Sequence, residues 1–462
     1  MTEKKVDRRS FLSGAATAVG ATALAGCVCD RLASDAGAPM FGFACKPLAR
    51  VRVGVVGLGS RGGAAVTRLL QVPGVEIAAL CEVRGEYLRK SSDEVLAQAG
   101  RRPVEFLGEE RWKALCDSDK VDVVYNCTPW HLHAPIGVYA MKAGKHVMIE
   151  VPAAMFVDEC WELVETAETT RRHCLQLENC CYGEEELLFL NMSRKGVLGE
   201  ILHGEGGYLH DRRWQIFNDD QWNAWRRDWN VRHAGNQYST HGLGPVCQYM
   251  DVNRGDRLDY LVSTDGAQRG YERFAAGTLP ADDPRRKLRF AMADMNVTTI
   301  RTVRGRTILL EHDVTGPSPY SRLNLVQGTK GVVCSYPKLR MYLEDRLPAS
   351  DAVHEWFDDP AVEKLRREYM HPLYRTLGER AKTVKGHGGM DFIMDYRWSF
   401  CLRKGLPLDT NVYDLASWCA VNELSERSAR NRSASVDIPD FTRGAWKTAK
   451  PFDIVDIKED RS

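Results

Sequence analysis

Gly57-Leu58-Gly59-Ser60-Arg61-Gly62 is the stretch of this chain whose spacing is tied most tightly to one chemistry. It follows Val51-Arg52-Val53-Gly54-Val55-Val56, which reads as a buried strand, and it opens a helical pattern. A G-x-G-x-x-G run in that context holds a pyrophosphate. Gly57 permits the tight turn, Gly59 lets backbone approach the phosphates, and Gly62 lets helix and strand pack closely. The new helix turns its N–H groups and the positive end of its dipole toward the same point. Glu82 ends the next apolar run, 25 residues after Gly57. A carboxylate there accepts hydrogen bonds from an adenosine ribose and repels a 2′-phosphate, so NAD is expected rather than NADP.

Two further loops fall at the same rim. Thr128-Pro129-Trp130-His131-Leu132-His133 follows the apolar run 121–127, and Glu150-Val151-Pro152 follows His146-Val147-Met148-Ile149. In an open α/β sheet ligands bind beyond the carboxyl ends of the strands, so both loops should border the cofactor. His133 either lines that site or caps the next helix. Trp214, Trp222, Trp225 and Trp229 cluster farther on. Large aromatics dominate core packing, so most are expected inside, with one allowed in a pocket wall. Arg226 and Arg227 beside them suit either substrate oxygens or surface ion pairs.

The elements that must position these residues follow from the apolar pattern. From Val51 onward, near-continuous apolar runs alternate with helical stretches such as 132–143, which implies a parallel sheet covered on both faces. Residues 50–175 are read as a doubly wound Rossmann domain. Beyond it, Asn296 to Val303 and Arg306 to Glu311 read as strands paired around Arg304-Gly305, with further strands at 321–326 and 331–335. Helical patterns return at 390–403 and 412–427. Residues 176–462 are therefore read as an α+β substrate domain on a mostly antiparallel open sheet. The whole is an α/β protein of two domains.

The chain has 462 residues, and its 63 Lys and Arg balance 62 Asp and Glu, so no global charge attracts nucleic acid. Its 14 cysteines include no C-x-x-C pair and show no zinc-ligand spacing, so no metal is expected. Arg8-Arg9-Ser10-Phe11-Leu12 resembles a twin-arginine export signal, and residues 11–29 are uncharged and rich in Ala and Gly. Leu24-Ala25-Gly26-Cys27 resembles a lipobox, with Cys27 as the lipidated residue. Residues 1–26 are thus expected to be a leader and 27–49 a tether. The expected destination is the periplasm or a membrane-anchored place in a bacterial envelope. Dinucleotide pools are cytoplasmic, so an exported dinucleotide enzyme must carry its cofactor along and regenerate it at every turnover.

Glu150-Val151-Pro152 stands where members of the glucose-fructose oxidoreductase and inositol dehydrogenase (Gfo/Idh/MocA) superfamily commonly show E-K-P. The lysine of dehydrogenase members helps to move a proton, and Val151 has none to give. A closer resemblance lies downstream. Tyr238-Ser239-Thr240-His241-Gly242-Leu243-Gly244-Pro245-Val246, continuing to Asn253-Arg254-Gly255-Asp256-Arg257, resembles the signature block of glycoside hydrolase family 109. Pro319-Tyr320-Ser321-Arg322, Asn324-Leu325-Val326-Gln327-Gly328-Thr329-Lys330-Gly331 and Gly386-His387-Gly388-Gly389-Met390-Asp391 resemble other blocks of it. Ser239 occupies a position where many relatives carry Pro, which bears on the sugar pocket.

The resemblance implies an NAD-dependent glycosidase of the α-N-acetylgalactosaminidase type, in which oxidation of the sugar is followed by elimination, water addition and reduction. It places Ser60, Arg61, Glu82, Trp130, His133, Glu150, Val151 and Asn179 at the NAD. Tyr208, Arg226, Tyr238, His241 and Tyr320 fall at the sugar or the nicotinamide end. The proton transfers need groups whose pKa lies near the working pH or is movable by neighbours, which suits His241, assisted by Tyr238 or Tyr320. The alternatives are an exported sugar oxidoreductase of the same superfamily coupling two half-reactions, and a non-catalytic NAD-bound sugar sensor. The open sheet is often a dimer face in that superfamily, so a homodimer is expected, with a small carbohydrate as substrate.

Overall fold

The computed structural model of the protein describes residues 37–218, 224–346, 355–384 and 386–451. The expected leader, Cys27 and the first part of the expected tether, 27–36, lie outside these residues. Six parallel strands form the first sheet: β1 (Val51–Val56), β2 (Val75–Glu82), β3 (Val104–Leu107), β4 (Val123–Asn126), β5 (His146–Ile149) and β6 (Cys174–Gln176). Their order is β3-β2-β1-β4-β5-β6, with every pairing parallel. Helices α1 (Ser60–Leu69), α2 (Gly85–Ala99), α3 (Arg111–Asp117), α4 (His133–Lys142) and α5 (Val157–Thr170) alternate with the strands. β4 and β5 are buried at every position, which is why they read as unbroken apolar runs. Strand order reverses between β1 and β4, and the crevice at that switch point is where a doubly wound sheet takes its ligand.

The second sheet has eight strands in the order β13-β12-β11-β7-β10-β9-β8-β14. They are β7 (Ile201–Leu209), β8 (Leu258–Asp265), β9 (Asn296–Thr302), β10 (Thr307–Asp313), β11 (Leu325–Gly328), β12 (Gly331–Cys334), β13 (Arg340–Leu343) and β14 (Val436–Asp437). All neighbours are antiparallel except β7 and β10, which run parallel. The burial of β9 alternates at each residue, so one face carries the core and the other stays open.

The longer helices after β6 are α6 (Glu184–Arg194), α7 (Ala224–Arg232), α8 (Thr240–Tyr249), α9 (Gly270–Thr278), α10 (Asp359–Tyr369), α11 (Pro372–Val384), α12 (Met390–Lys404) and α13 (Val412–Arg430). Asn411 and Asp414 cap α13 reciprocally. α13 packs back against α5 and β6, and α12 against α1 and β1. The chain therefore returns from the second sheet to cover the first, and one buried core spans both. Arg68 on α1 joins them with charge, donating to the Asp395 carboxylate of α12 at 2.9 Å.

The tether expectation fails at its C-terminal end. The Met40 N–H donates to the Tyr413 hydroxyl at 3.1 Å, the Phe43 ring lies 4.6 Å from that of His173, and the Leu48 N–H donates to the Leu402 carbonyl. Small apolar residues in an irregular run read as linker, but here they fill a seam beside α12 and α13.

Candidate active site

The glycine loop is built for close approach. A Cβ on Gly62 would stand 1.7 Å from the Gly57 carbonyl oxygen, so α1 meets the turn with no room for a side chain. Gly57 turns the chain at φ +81°, against the backbone of Cys127. The first turn of α1 leaves its N–H groups facing the end of the sheet. Glu82 accepts from the N–H groups of Leu58 at 2.6 Å, Val83 at 2.7 Å and Arg84 at 3.1 Å. Oε1 takes the last two and Oε2 the first, so one lone pair of Oε2 remains for a ribose hydroxyl. The Arg84 guanidinium is engaged by Tyr87 and Glu86. Donors and acceptor both fit an NAD.

Around the far end of that cradle the loops lock together. Arg61 holds Glu150 at 2.7 Å and reaches Asp391 at 3.3 Å. Asp391 also takes hydrogen bonds from the Asn179 amide and from His387 at 2.9 Å. Burial alone would raise the Asp391 carboxyl, but the His387 hydrogen bond and the charges of Arg61 and Arg68 hold it well below the usual carboxylate range. His133 is buried, and its ring nitrogens each lie 2.7 Å from a carbonyl, those of Pro152 and Thr128. Its side chain clasps the 128–133 and 150–152 loops and has no nitrogen left for the cofactor. Burial lowers its pKa, against the pull of the two carbonyls. Trp130 donates to the Val151 carbonyl at 3.3 Å, which fixes its indole as a wall.

The aromatic cluster beyond this wall contains the expected proton handlers. α8 reaches it because of another glycine: a Cβ on Gly242 would stand 2.2 Å from the Gly207 amide nitrogen of β7. That backbone contact sets His241 over Tyr208, ring centres 5.6 Å apart. Tyr238 stands edge-on to His241 at 4.9 Å and lies 4.6 Å from Tyr208. Tyr320 lies 6.1 Å from Tyr208, and its hydroxyl accepts from Arg322 at 3.1 Å. Burial pushes the Tyr238 phenol well up. It does the same for Tyr320, with Arg322 pulling the other way. Both are protonated donors at neutral pH.

One residue that the sequence reading passed over completes the group. Glu178, just past β6, is buried, and its carboxylate lies 2.6 Å from His241 Nδ1. Burial would raise its pKa, but the His241 charge and hydrogen bond prevail and hold it below the ordinary value. Nδ1 thus carries the proton shared with Glu178, and Nε2 is the nitrogen left for chemistry. Glu178 precedes Asn179 at the rim of the sheet, and an acid ending an apolar strand there was the available signal. Cys180 brings its sulfur to the same place, within 4.8 Å of both partners. A metal at this trio would have to displace the Glu178–His241 bond and deprotonate a thiol that burial pushes well up.

His210 and His312 also border the cluster, and both were missed. His210 accepts from or donates to the Tyr208 hydroxyl at 3.1 Å, and burial lowers its pKa to about 4. Trp225 and Trp229 pack on Trp130, whereas Trp214 is 67 % exposed; Trp222 lies outside the described residues. Arg226 lies over both Trp130 and Trp225.

Replacing Glu178 by Gln preserves shape but removes the charge that orients His241. The expected result is a roughly 10–100-fold fall in kcat, the scale seen when an orienting partner of a functional histidine is lost. NAD content and KM should change little. Steady-state kinetics on protein with its nucleotide quantified after denaturation check this; unchanged kcat would remove Glu178 from the site.

Comparison with known proteins places this geometry. Residues 182–448 match the family model described as glycosyl hydrolase 109, C-terminal domain, and residues 51–177 match the one described as oxidoreductase family, NAD-binding Rossmann fold. A glycosyl hydrolase family 109 protein of Shewanella baltica is 43 % identical over 97 % of this chain and 99 % of its own. Another from Shewanella pealeana is 46 % identical over 91 % of each. Among solved structures, levoglucosan dehydrogenase in complex with NADH and levoglucosan shares the fold at a TM-score of 0.62 and 18 % identity, covering 85 % of this chain and all of that one. The WlbA dehydrogenase of Bordetella pertussis, in complex with NADH and UDP-GlcNAcA, does so at 0.60 and 16 %, over 86 % of this chain and all of its own.

Proposed function

The chain belongs to glycosyl hydrolase family 109, an NAD-dependent glycoside hydrolase, and from that premise we propose that it cleaves N-acetylhexosaminides, N-acetylgalactosaminides foremost, through a transiently oxidised sugar. The observation that carries the proposal is the His241 ring, held by Glu178 at 2.6 Å among Tyr208, Tyr238 and Tyr320.

Ser60, Arg61, Gly57, Gly59 and Gly62 would hold the pyrophosphate end and Glu82 the ribose, with Trp130, Glu150, Val151 and Asn179 toward the nicotinamide. When bound, the nicotinamide supplies a reversible hydride acceptor for C3 of the sugar. A ketone at C3 acidifies the hydrogen on C2. His241 Nε2 takes that proton, since Nδ1 is engaged by Glu178. The C1–O bond to the aglycone breaks as its electron pair leaves with the oxygen. Tyr238 or Tyr320 donates to the departing oxygen, and the other relays the O3 proton to solvent on oxidation of C3 and back on its reduction. Water then adds at C1 and its proton restores the tyrosine that served the leaving group, C2 regains a proton from His241, and a bound reduced nicotinamide would supply what C3 needs to become an alcohol again. Net oxidation is zero, and Arg226 and Tyr208 orient the ring. Val151 carries no proton, which counts against a one-way dehydrogenase.

The test is hydrolysis of nitrophenyl α- and β-N-acetylgalactosaminides, N-acetylglucosaminides and plain hexosides by leaderless protein with no nucleotide added. Nitrophenol is expected from at least one N-acetylhexosaminide without accumulation of NADH, and deuterium at C3 should slow release or be lost to another position. A requirement for a second sugar, or steady NADH formation, would overturn the proposal in favour of an oxidoreductase. We further propose that residues 1–26 direct export by a twin-arginine route with Cys27 as lipid anchor, so that a retained and recycled NAD serves the enzyme outside the cytoplasm. The open sheet face, where Val262, Thr299 and Leu309 lie in register, is proposed as a homodimer surface.

A further inference from the structure

A small cavity opens behind Tyr208 and Tyr238, lined also by Arg212, Gln215, Arg226 and His312. Its charges are unusual for this protein. Elsewhere, buried arginines face carboxylates: Arg68, Arg254, Arg322 and Arg397 each have one at 2.5–2.9 Å. Among the described residues, no carboxylate pairs with Arg226 or with Arg212, and none lines the cavity. Both side chains are partly buried, and a cation partly withdrawn from water with no carboxylate beside it suits a ligand that supplies the opposite charge. Stacking on Trp130 and Trp225 offsets part of that withdrawal for Arg226. It does nothing for Arg212, whose like charge, together with burial, lowers the proton affinity of Arg226.

Two further polar groups of the lining lack hydrogen-bond partners. His312 is 2 % exposed and its Nδ1 has no hydrogen-bond partner; the Gln215 amide oxygen has none either. The cavity measures about 30 Å³, room for about two waters. That admits a substituent but excludes a second sugar ring. An acetamido group would satisfy one acceptor and one donor and leave both guanidinium charges uncompensated.

We propose that this cavity receives an anionic substituent of the substrate sugar, a carboxylate or a sulfate, held by Arg212 and Arg226. The inference rests on the reading that Tyr208 and Tyr238 hold the sugar, and it narrows the substrate to acidic hexosides. Paired guanidinium groups meet such oxyanions with charge-assisted hydrogen bonds.

Calorimetric binding to the NAD-loaded protein tests it, with N-acetylgalactosamine, its 6-sulfate and methyl galacturonide as probes. At least one acidic sugar is expected to bind about tenfold more tightly than the neutral one, with the gain shrinking as salt rises. Whether the sulfate or the carboxylate gains more decides between the two anions. Arg212→Gln should abolish the gain while leaving neutral-sugar affinity and NAD content in place. Arg212→Lys, which keeps the charge, should preserve most of it and serves if the first variant does not fold. Equal or weaker binding of both acidic sugars, or an undiminished gain in Arg212→Gln, would overturn the inference. The measurement needs no turnover. Acidic preference without cleavage of any glycoside would remove the glycosidase reading alone, and cleavage of neutral glycosides without acidic preference would remove this one alone.

Discussion

His241→Ala should lower kcat by about 10³-fold or more while the protein still purifies with its NAD. The expected size comes from losing a positioned acid/base, worth about 10²–10⁴-fold, at a residue asked to act on the same proton twice per turnover. Cofactor content should survive because His241 sits at the head of α8, whereas the phosphates are held by the loop before α1. KM should move far less than kcat, since Arg226, Tyr208 and Tyr238, the residues proposed to hold the sugar, are unchanged. The stronger test is the pair of variants together. If Glu178 acts only through the imidazole it touches at 2.6 Å, then Glu178→Gln in the His241→Ala background should cost nothing further. Additive losses would mean that Glu178 has its own task, and wild-type turnover in His241→Ala would end the assignment.

How far the sequence reveals this site depends on the distance over which each signal is carried. The cofactor cradle was legible because strand, glycine loop and helix are contiguous, and Glu82 ends the next strand. Tyr238 and His241, the proposed proton handlers, could be singled out because they stand three residues apart in a block that resembles a known family. Glu178 was not, because its role arises only when β6 and α8, 63 residues apart, bring its carboxylate to His241. His312 was hidden more deeply. It lies opposite Tyr208 through the parallel β7–β10 pairing, an exception in a mostly antiparallel sheet that alternating apolar residues do not announce. His133 shows a different limit. Its place in a rim loop suggested cofactor contact, but whether a histidine faces a ligand or two backbone carbonyls is decided by ring orientation, on which spacing is silent. The run 39–48 misled for a related reason, since irregular small apolar residues suit a tether and a filled seam equally well.

Gly62→Ala should leave the protein without bound NAD, whereas Gly63→Ala, one residue along the same helix, should leave it loaded. The added methyl is identical, and both residues lie in the first turn of α1. What differs is the ground they face. At Gly62 the new carbon would stand 1.7 Å from the Gly57 carbonyl oxygen, a backbone atom with no rotamer to change. At Gly63 the nearest atom is the Leu58 carbonyl oxygen at 3.4 Å, a contact that needs no rearrangement. To admit the methyl at Gly62, α1 must lift off the loop, which carries its N–H groups away from the pyrophosphate and loosens the backbone that Glu82 grips through Leu58. Arg61 travels with the helix and would release Glu150 and Asp391 together. Nucleotide released by denaturation, set against protein concentration, reads the outcome directly. Activity should fall in parallel and return only partly at saturating NAD, because the loops at the nicotinamide end are set by the same helix. Stoichiometric NAD in Gly62→Ala would show that this close contact is not what holds the cofactor.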